Sequence, residues 1–256
     1  MRSFLIGLQF LTRISIVRQE NWTEEDFGKS VRWFPLIGAV LGLCYGTVAA
    51  CMFLLLPTFG IELPVHVSTA LLLLLTILLT GGLFCDGFMD SMDGIFSGRS
   101  RDRMLEIMKD SRLGTNGACA LLLVFLARYH GLLLLPENLL PLVIVLMPLS
   151  ARACNPLLML ASYARKEGLG NLFIGKITWG RALVSVGIGA LLVFALTANL
   201  WLLAAYLLLA VWQRLFTHYI TGILGGMTGD TLGAGDELSE IIFLVLCCLG
   251  VYHGWL

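Results

Sequence analysis

The sequence predicts an all-α fold: a polytopic integral membrane helix bundle of about seven spans with an N-terminal interfacial helix, forming a single transmembrane domain over residues 1–256. Three observations carry this prediction. Hydrophobic residues make up 58% of the chain and charged residues 13%, where ordinary soluble domains are about a quarter charged. Mean hydropathy is +0.87, so too few polar side chains remain to cover a water-facing surface. Uncharged runs of roughly 20 residues, the length of helix that crosses a bilayer core of about 30 Å, recur along the chain. Disordered, collagen-like and disulfide-scaffold classes are excluded by the same composition.

The elements follow in order. Ser3 to Val17 is apolar but short and contains Arg13, which suits a helix lying in the membrane interface. Trp33 to Leu56 and Pro64 to Cys85 are uncharged spans. Gly117 to Leu135 is apolar except for Arg128 and His130, and Leu139 to Ala161 except for Arg152. Ala182 to Gln213 is too long for one span. Thr197-Ala198-Asn199 is its natural break, and the second half continues to about Gly222 with Arg214 inside. Glu240 to Trp255 is the last span. Arg128, Arg152 and Arg214 are costly where they stand and are expected to face the bundle interior, or to snorkel towards a membrane face.

Charge sets the orientation. Lys+Arg and Asp+Glu are equal at 17 each, so net charge does not point to nucleic acid, and no nucleic-acid partner is expected. Arg2, Arg13, Arg18, Lys29 and Arg32 precede the first span. Arg99, Arg101, Arg103, Lys109 and Arg112 fall between the second and third, and Arg165, Lys166, Lys176 and Arg181 between the fourth and fifth. By the positive-inside rule the N-terminus and the polar segments 86–116, 162–181 and 223–239 are cytoplasmic. The seven cysteines, with no C-x-x-C, read as small core residues, and the four histidines are scattered without ligand spacing.

The chemistry-bearing residues sit in those polar segments. Asp86, Asp90 and Asp93 are spaced 0, 4 and 7, which places them within about 60° on one helix face. Three carboxylates so close repel one another, and a hard divalent cation such as Mg²⁺ is the simplest way to keep all three ionised. Arg99, Arg103, Lys109 and Arg112 follow, a basic surplus suited to a phosphate-rich substrate or to anionic lipid. The third segment carries Gly225, Gly226, Gly229, Gly233 and Gly235 among Asp230, Asp236, Glu237 and Glu240. Its glycines permit close backbone approach, and Asp230, Glu237 and Glu240 are candidates for a second metal site or a general base.

At these residues the chain resembles the cobalamin synthase (adenosylcobinamide-GDP ribazoletransferase) family. The resemblance runs nearly end to end. It covers Phe10-Leu11-Thr12-Arg13-Ile14, Phe34-Pro35-Leu36-Ile37-Gly38, Asp86-Gly87-x-x-Asp90-x-x-Asp93-Gly94, Asp102 to Gly114, Tyr163-Ala164-Arg165 through Gly175-Lys176, and Thr228-Gly229-Asp230 through Glu240. The family commonly has a His two residues before the first Asp, where this chain has Phe84. The resemblance implies a membrane enzyme of late cobalamin synthesis that requires Mg²⁺. Adenosylcobinamide-GDP and alpha-ribazole (or its 5′-phosphate) would give adenosylcobalamin (or its 5′-phosphate) and GMP. On this reading Asp86, Asp90 and Asp93 bind the metal, and Asp230, Glu237 and Glu240 complete the site or supply the base. Arg99, Arg103, Lys109 and Arg112 hold phosphates, with Arg165 and Lys176 as further candidates. The implied location is the cytoplasmic (inner) membrane with the chemistry on the cytoplasmic side, and the reading allows for a homo-oligomer or an assembly with neighbouring pathway enzymes.

Three other classes share parts of this pattern. A CDP-alcohol phosphotransferase begins its motif D-G-x-x-A-R, and here Asp86-Gly87 is followed by Phe88-Met89-Asp90-Ser91. A membrane prenyltransferase also uses two Asp-rich motifs. A transporter would place its acids nearer the middle of the bilayer.

Overall fold

The computed structural model describes residues 2–17 and 23–256; Arg18, counted above among the basic residues, lies outside them. Among the described residues the chain is helical, with an isolated parallel bridge between Tyr163 and Met227 as its β interaction. The first helix, α1 (Arg2–Leu11), buries Ser3, Ile6, Gly7, Leu8 and Leu11 along one face and stops well short of Val17. It packs on α2 (Glu24–Ser30) and on the start of α3 (Phe34–Ala50), which runs on through Cys51–Leu55 and Leu56–Phe59. Then come α4 (Val65–Thr80), α5 (Leu83–Ile95), α6 (Arg101–Ile107), α7 (Thr115–Leu133) and α8 (Leu140–Cys154), the last extended by a 3₁₀ turn, Asn155–Leu160. α9 (Trp179–Thr197), α10 (Leu200–Leu224) and α11 (Gly229–Tyr252) close the chain.

Five helical segments are long and apolar enough to cross a membrane, and six if the bent pair α4 and α5 counts as one crossing. The remaining expected span is the apolar C-terminal half of α11, which shares a continuous helix with the acids ahead of it. The chain is thus a multi-pass helical membrane protein. Central to the bundle is α8, buried along nearly its whole length. α3 lies directly on it, because Gly38, Gly42 and Gly46 turn one glycine stripe to its backbone; a Cβ on Gly38 would stand 2.5 Å from the Pro148 carbonyl, and one on Gly42 would strike that of Val145. Small residues that let backbones touch are how helices associate where lipid is as apolar as leucine. Leu122, Leu123, Leu191, Leu200 and Leu215 point outward from α7, α9 and α10.

Two expectations need correction. The second span was expected to run to Cys85, but the helix ends at Thr80. Gly81 and Gly82 take φ of 65° and 75°, the left-handed region that costs glycine little, and the chain turns by 90° into α5. The polar segments 86–116 and 223–239, expected as cytoplasmic loops between spans, are largely helical: the first holds most of α5 together with α6, and the second holds the end of α10 and the first half of α11. Their charges are stabilised by packing and pairing that span-by-span hydropathy does not register.

Candidate active site

The bend gives the site its position. It directs α5 against the start of α11, and glycines let the two helices close up. A Cβ on Gly87 would lie 2.9 Å from the Asp230 carbonyl oxygen, and one on Gly233 would lie 3.2 Å from that of Phe84. The glycines of this stretch therefore serve helix contact as well as turns. Asp230 stands in the first turn of α11, after a capping box in which Thr228 and Thr231 satisfy each other's backbone N–H groups. Asp90 consequently lies in the field of Asp230 as well as of Asp86 and Asp93.

The three carboxylates of α5 have separate surroundings. Asp86 is exposed, Asp90 half-buried and Asp93 buried. Asp93 accepts from the backbone N–H of Gly114 and of Gly117, both at 2.8 Å, so both its oxygens are engaged in capping α7. Among the described residues no group of three or more His, Cys, Asp or Glu is gathered tightly enough to hold a metal by itself.

Asp230 faces Arg165, with Nη2 to Oδ2 at 2.6 Å. Burial pushes the Asp230 carboxyl up, and the Arg165 guanidinium offsets only part of that rise. The segment bearing Arg165 is tied down by Ala164 N–H donating to the Met227 carbonyl and Met227 N–H to that of Ser162, each at 2.9 Å. Arg101 fastens the same corner, donating from Nε to the Leu224 carbonyl at 2.6 Å and from Nη2 to that of Ala164 at 3.2 Å. Sequence reasoning gave Arg101 no role, and its partners lie far along the chain.

Asp86 borders two cavities. One, of about 250 Å³, is walled by Phe34, Phe84, Phe173 and Met159 and also touched by Arg165 and Asp230. The other, of about 590 Å³, is more open and brings in Gln9, Thr12, Arg13 and Thr80. Arg13 lies against Gly81, and its backbone N–H donates to the Leu79 carbonyl at 2.7 Å. Arg13 lines the cavity beside Asp86, a position that sequence reasoning did not give it. The available signal was a basic residue just after a short apolar helix.

Other expected residues lie elsewhere. Arg103 pairs with Glu106 at 2.7 Å and Arg112 with Asp110 at 2.8 Å, all on or just after α6. Hydrogen bonds from Arg112 hold the Asp110 carboxyl below its usual range. Arg112 also lines a shallow cavity of about 330 Å³ beside Asp93. Arg99, Lys109 and Lys176 are exposed. Of the expected phosphate-binding residues, Arg165 is the one that lines a cavity with Asp86 and Asp230.

Glu237 and Glu240 belong to a buried ion network further along α11. Arg128 of α7 reaches Glu237 at 2.8 Å and Glu240 at 3.1 Å. Arg152 of α8 reaches Asp236 at 2.9 Å and also pairs with Glu240. Asn155 donates to Asp236 at 2.7 Å, and Gln213 donates to Ser239 at 2.8 Å and to Asn155 at 3.2 Å. Arg152 and Arg128 face the bundle interior; Arg214 donates to the Leu157 carbonyl at 3.0 Å and lies over the Trp179 ring. Mutual pairing is what makes such charges tolerable inside a membrane.

In this multi-pass helical membrane protein the carboxylates of Asp86 and Asp230 and the Arg165 guanidinium line one cavity, and a second opens beside Asp86, an arrangement suited to charged substrates. Comparison with known proteins names the family. The cobalamin-5-phosphate synthase profile matches residues 3–248, and the chain belongs to that family. An adenosylcobinamide-GDP ribazoletransferase from Desulfitobacterium hafniense (strain Y51) is 40% identical over 254 residues, covering 96% of each chain. Proteins of the same name from Clostridium novyi (strain NT) and Escherichia coli (strain K12) are 39% and 41% identical; the alignments cover 96% and 94% of this chain, and 96% and 97% of theirs. The chain is accordingly a transferase of cobalamin biosynthesis. No solved structure matches it.

Proposed function

We propose that the chain catalyses Mg²⁺-dependent transfer of a phosphorus-linked corrinoid from adenosylcobinamide-GDP to alpha-ribazole or its 5′-phosphate, releasing GMP, at the cytoplasmic face of the inner membrane. The observation that carries this reading is that Asp86 borders both cavities and shares the smaller one with the Arg165–Asp230 pair, with Asp90 in the field of Asp86 and Asp230. A two-substrate transfer needs such a shared border, because both reactants must be held in line at one point.

In this reaction a ribose hydroxyl attacks the phosphorus attached to the corrinoid side chain. A new P–O bond forms, the bond to the GMP oxygen breaks, and the hydroxyl proton passes to a base. Asp86 and Asp90 are hard oxygen donors one helical turn apart, and Mg²⁺ is commonly held by one or two carboxylates together with substrate phosphates, so the residues present fit the ion. Bound there, Mg²⁺ supplies charge neutralisation on the phosphate oxygens. Arg165 presents a planar fork to a non-bridging oxygen. With phosphate competing for Arg165, Asp230 is our candidate to accept the hydroxyl proton. Asp93 holds α7 against α5 and so positions the acids ahead of it. Glu237 and Glu240 are engaged by guanidinium groups and have a supporting role. The clustering of Arg99 to Arg112 and Arg165 to Arg181 beside the acidic residues supports the cytoplasmic orientation.

The test is GMP release by purified protein in lipid, supplied with both substrates and Mg²⁺ and then with EDTA. One GMP per cobamide formed, abolished by EDTA, is the expected result. Folded protein that releases no GMP would overturn the proposal.

A further inference from the structure

We propose that the smaller cavity is the subsite for the aromatic base of the acceptor nucleoside, and that the guanine of the donor does not enter it. The inference rests on the reaction above and deepens it. The two cavities share Phe10, Leu83 and Asp86 but differ in chemistry. The larger is open and carries Gln9, Thr12, Arg13 and Thr80, groups suited to phosphates and to a bulky polar donor. The smaller is walled by buried rings. Phe34, Phe84 and Phe173 are each 5% exposed or less, and Met159 closes the wall at 3%. Phe173 lies 5.4 Å from Phe10 and 6.3 Å from Phe34 between ring centroids, an arrangement that offers ring faces and edges to a planar guest. Behind Phe84 stands the Arg152 guanidinium, 4.4 Å from the ring centroid, so the ion network fixes this wall.

Away from the charged residues, the polar side chains of this cavity have internal partners. The Asn155 amide donates to Asp236 and accepts from Gln213. The Tyr163 hydroxyl donates to the Glu167 carbonyl at 3.2 Å. Asp86, Arg165 and Asp230 form the charged part of the lining and mark the side facing the reaction. Against the aromatic wall a guanine edge, with its several donors and acceptors, finds no partner and is penalised on burial. A fused bicyclic base with apolar edges, of the benzimidazole type, loses nothing there. Size agrees: about 250 Å³ lies just below the ~300–1,000 Å³ typical of sites that enclose a whole drug-sized ligand. The cavity therefore holds a bicyclic ring and leaves the ribose outside, against Asp86 and Asp230, where its hydroxyl must react.

The first test uses unaltered protein in lipid nanodiscs, with free benzimidazole and free guanine as calorimetric probes. Benzimidazole should bind, and guanine should not displace it. In the GMP-release assay benzimidazole should compete with the nucleoside and not with adenosylcobinamide-GDP. The second test fills the cavity from a half-buried position that lines it alone. Leu232→Trp should raise KM for the nucleoside at least tenfold, leave KM for the donor within twofold, and abolish benzimidazole binding. Guanine displacing benzimidazole, or Leu232→Trp raising the donor KM instead, would reverse the assignment. Active protein that binds no benzimidazole would also overturn it. Benzimidazole binding that is lost in Leu232→Trp, in protein that releases no GMP, would leave the base site standing and sink the reaction.

Discussion

Removing Arg152 should damage this protein more than removing the acid it shares with Arg128. The network holds two guanidinium groups against Asp236, Glu237 and Glu240, a formal charge of 2 − 3 = −1. Arg152→Gln takes this to −2 and strands Asp236 and part of Glu240 in a bundle interior where all these side chains are nearly inaccessible. Truncating one member of a buried pair costs about 3–5 kcal/mol, chiefly because the partner is left buried and uncompensated. Arg152 serves two acids, so the upper figure applies. Glu240→Gln takes the formal charge to zero, its amide oxygen still accepts from a guanidinium, and Arg128 and Arg152 keep Glu237 and Asp236. Its cost should be nearer the ~1.5–3 kcal/mol of a single hydrogen bond to a charged group. Against a total stability of about 5–15 kcal/mol, the first variant should be largely unfolded on warming and the second should survive. Equilibrium unfolding in mixed micelles, with thermal midpoints in nanodiscs, measures both. Arg152→Gln within about 1 kcal/mol of the parent, or Glu240→Gln the worse of the two, would refute the reasoning. Glu240→Gln that loses turnover at an unchanged midpoint would return Glu240 to the catalytic role its sequence context suggests.

Asp86→Asn and Asp90→Asn should each lower Mg²⁺-dependent GMP release by about 10²–10³-fold, the usual loss when a group stabilising transition-state charge is removed. Membrane insertion should be intact, and near-normal turnover in both variants would remove the metal from Asp86 and Asp90. Asp93→Ala should cost about 1–2 kcal/mol in thermal unfolding, as a lost helix cap does, with Asp93→Asn recovering part of it; an unshifted midpoint in Asp93→Ala would rule out the capping role. Gly87→Ala places a Cβ 3.0 Å from the Asp230 Cα and should separate α5 from α11, lowering kcat more than it changes KM. Unchanged kcat in that variant would show that the close approach is dispensable.

Five or six of the seven expected crossings were legible because apolar length is a strong signal, and so was the break in the long fifth run. There Ala198 takes a φ of 47° and the Asn199 side chain accepts from Leu202 N–H at 3.0 Å. The 90° bend was not legible. Gly81 and Gly82 permit many angles, and composition continues unbroken to Cys85. The one-face spacing of Asp86, Asp90 and Asp93 was read from a helical period that α5 has. Yet the backbone groups that engage Asp93 lie at Gly114 and Gly117, beyond the reach of any local pattern. Arg128 and Arg152 stood out as charges too costly to leave alone, and Glu237 and Glu240 as acids seeking a role. Each set was the other's answer, but a single sequence does not show which helices are neighbours.

That pairing also explains why one helix carries both kinds of acid. From Asp230, Glu237 is seven residues on, two turns of helix and about 10 Å along the axis, at nearly the same angle around it. The ion network therefore grips the very face of α11 that presents Asp230 to the cavities, and Gly233 seats the helix on α5 between them. Gripping at Glu237 and seating at Gly233 leave α11 little freedom to rotate, so the distance from Asp230 to Asp86 and Asp90 is set by charges buried deeper in the bundle. Stability and turnover should then fall together in Glu240→Gln, whereas Asp86→Asn should separate them, losing turnover alone.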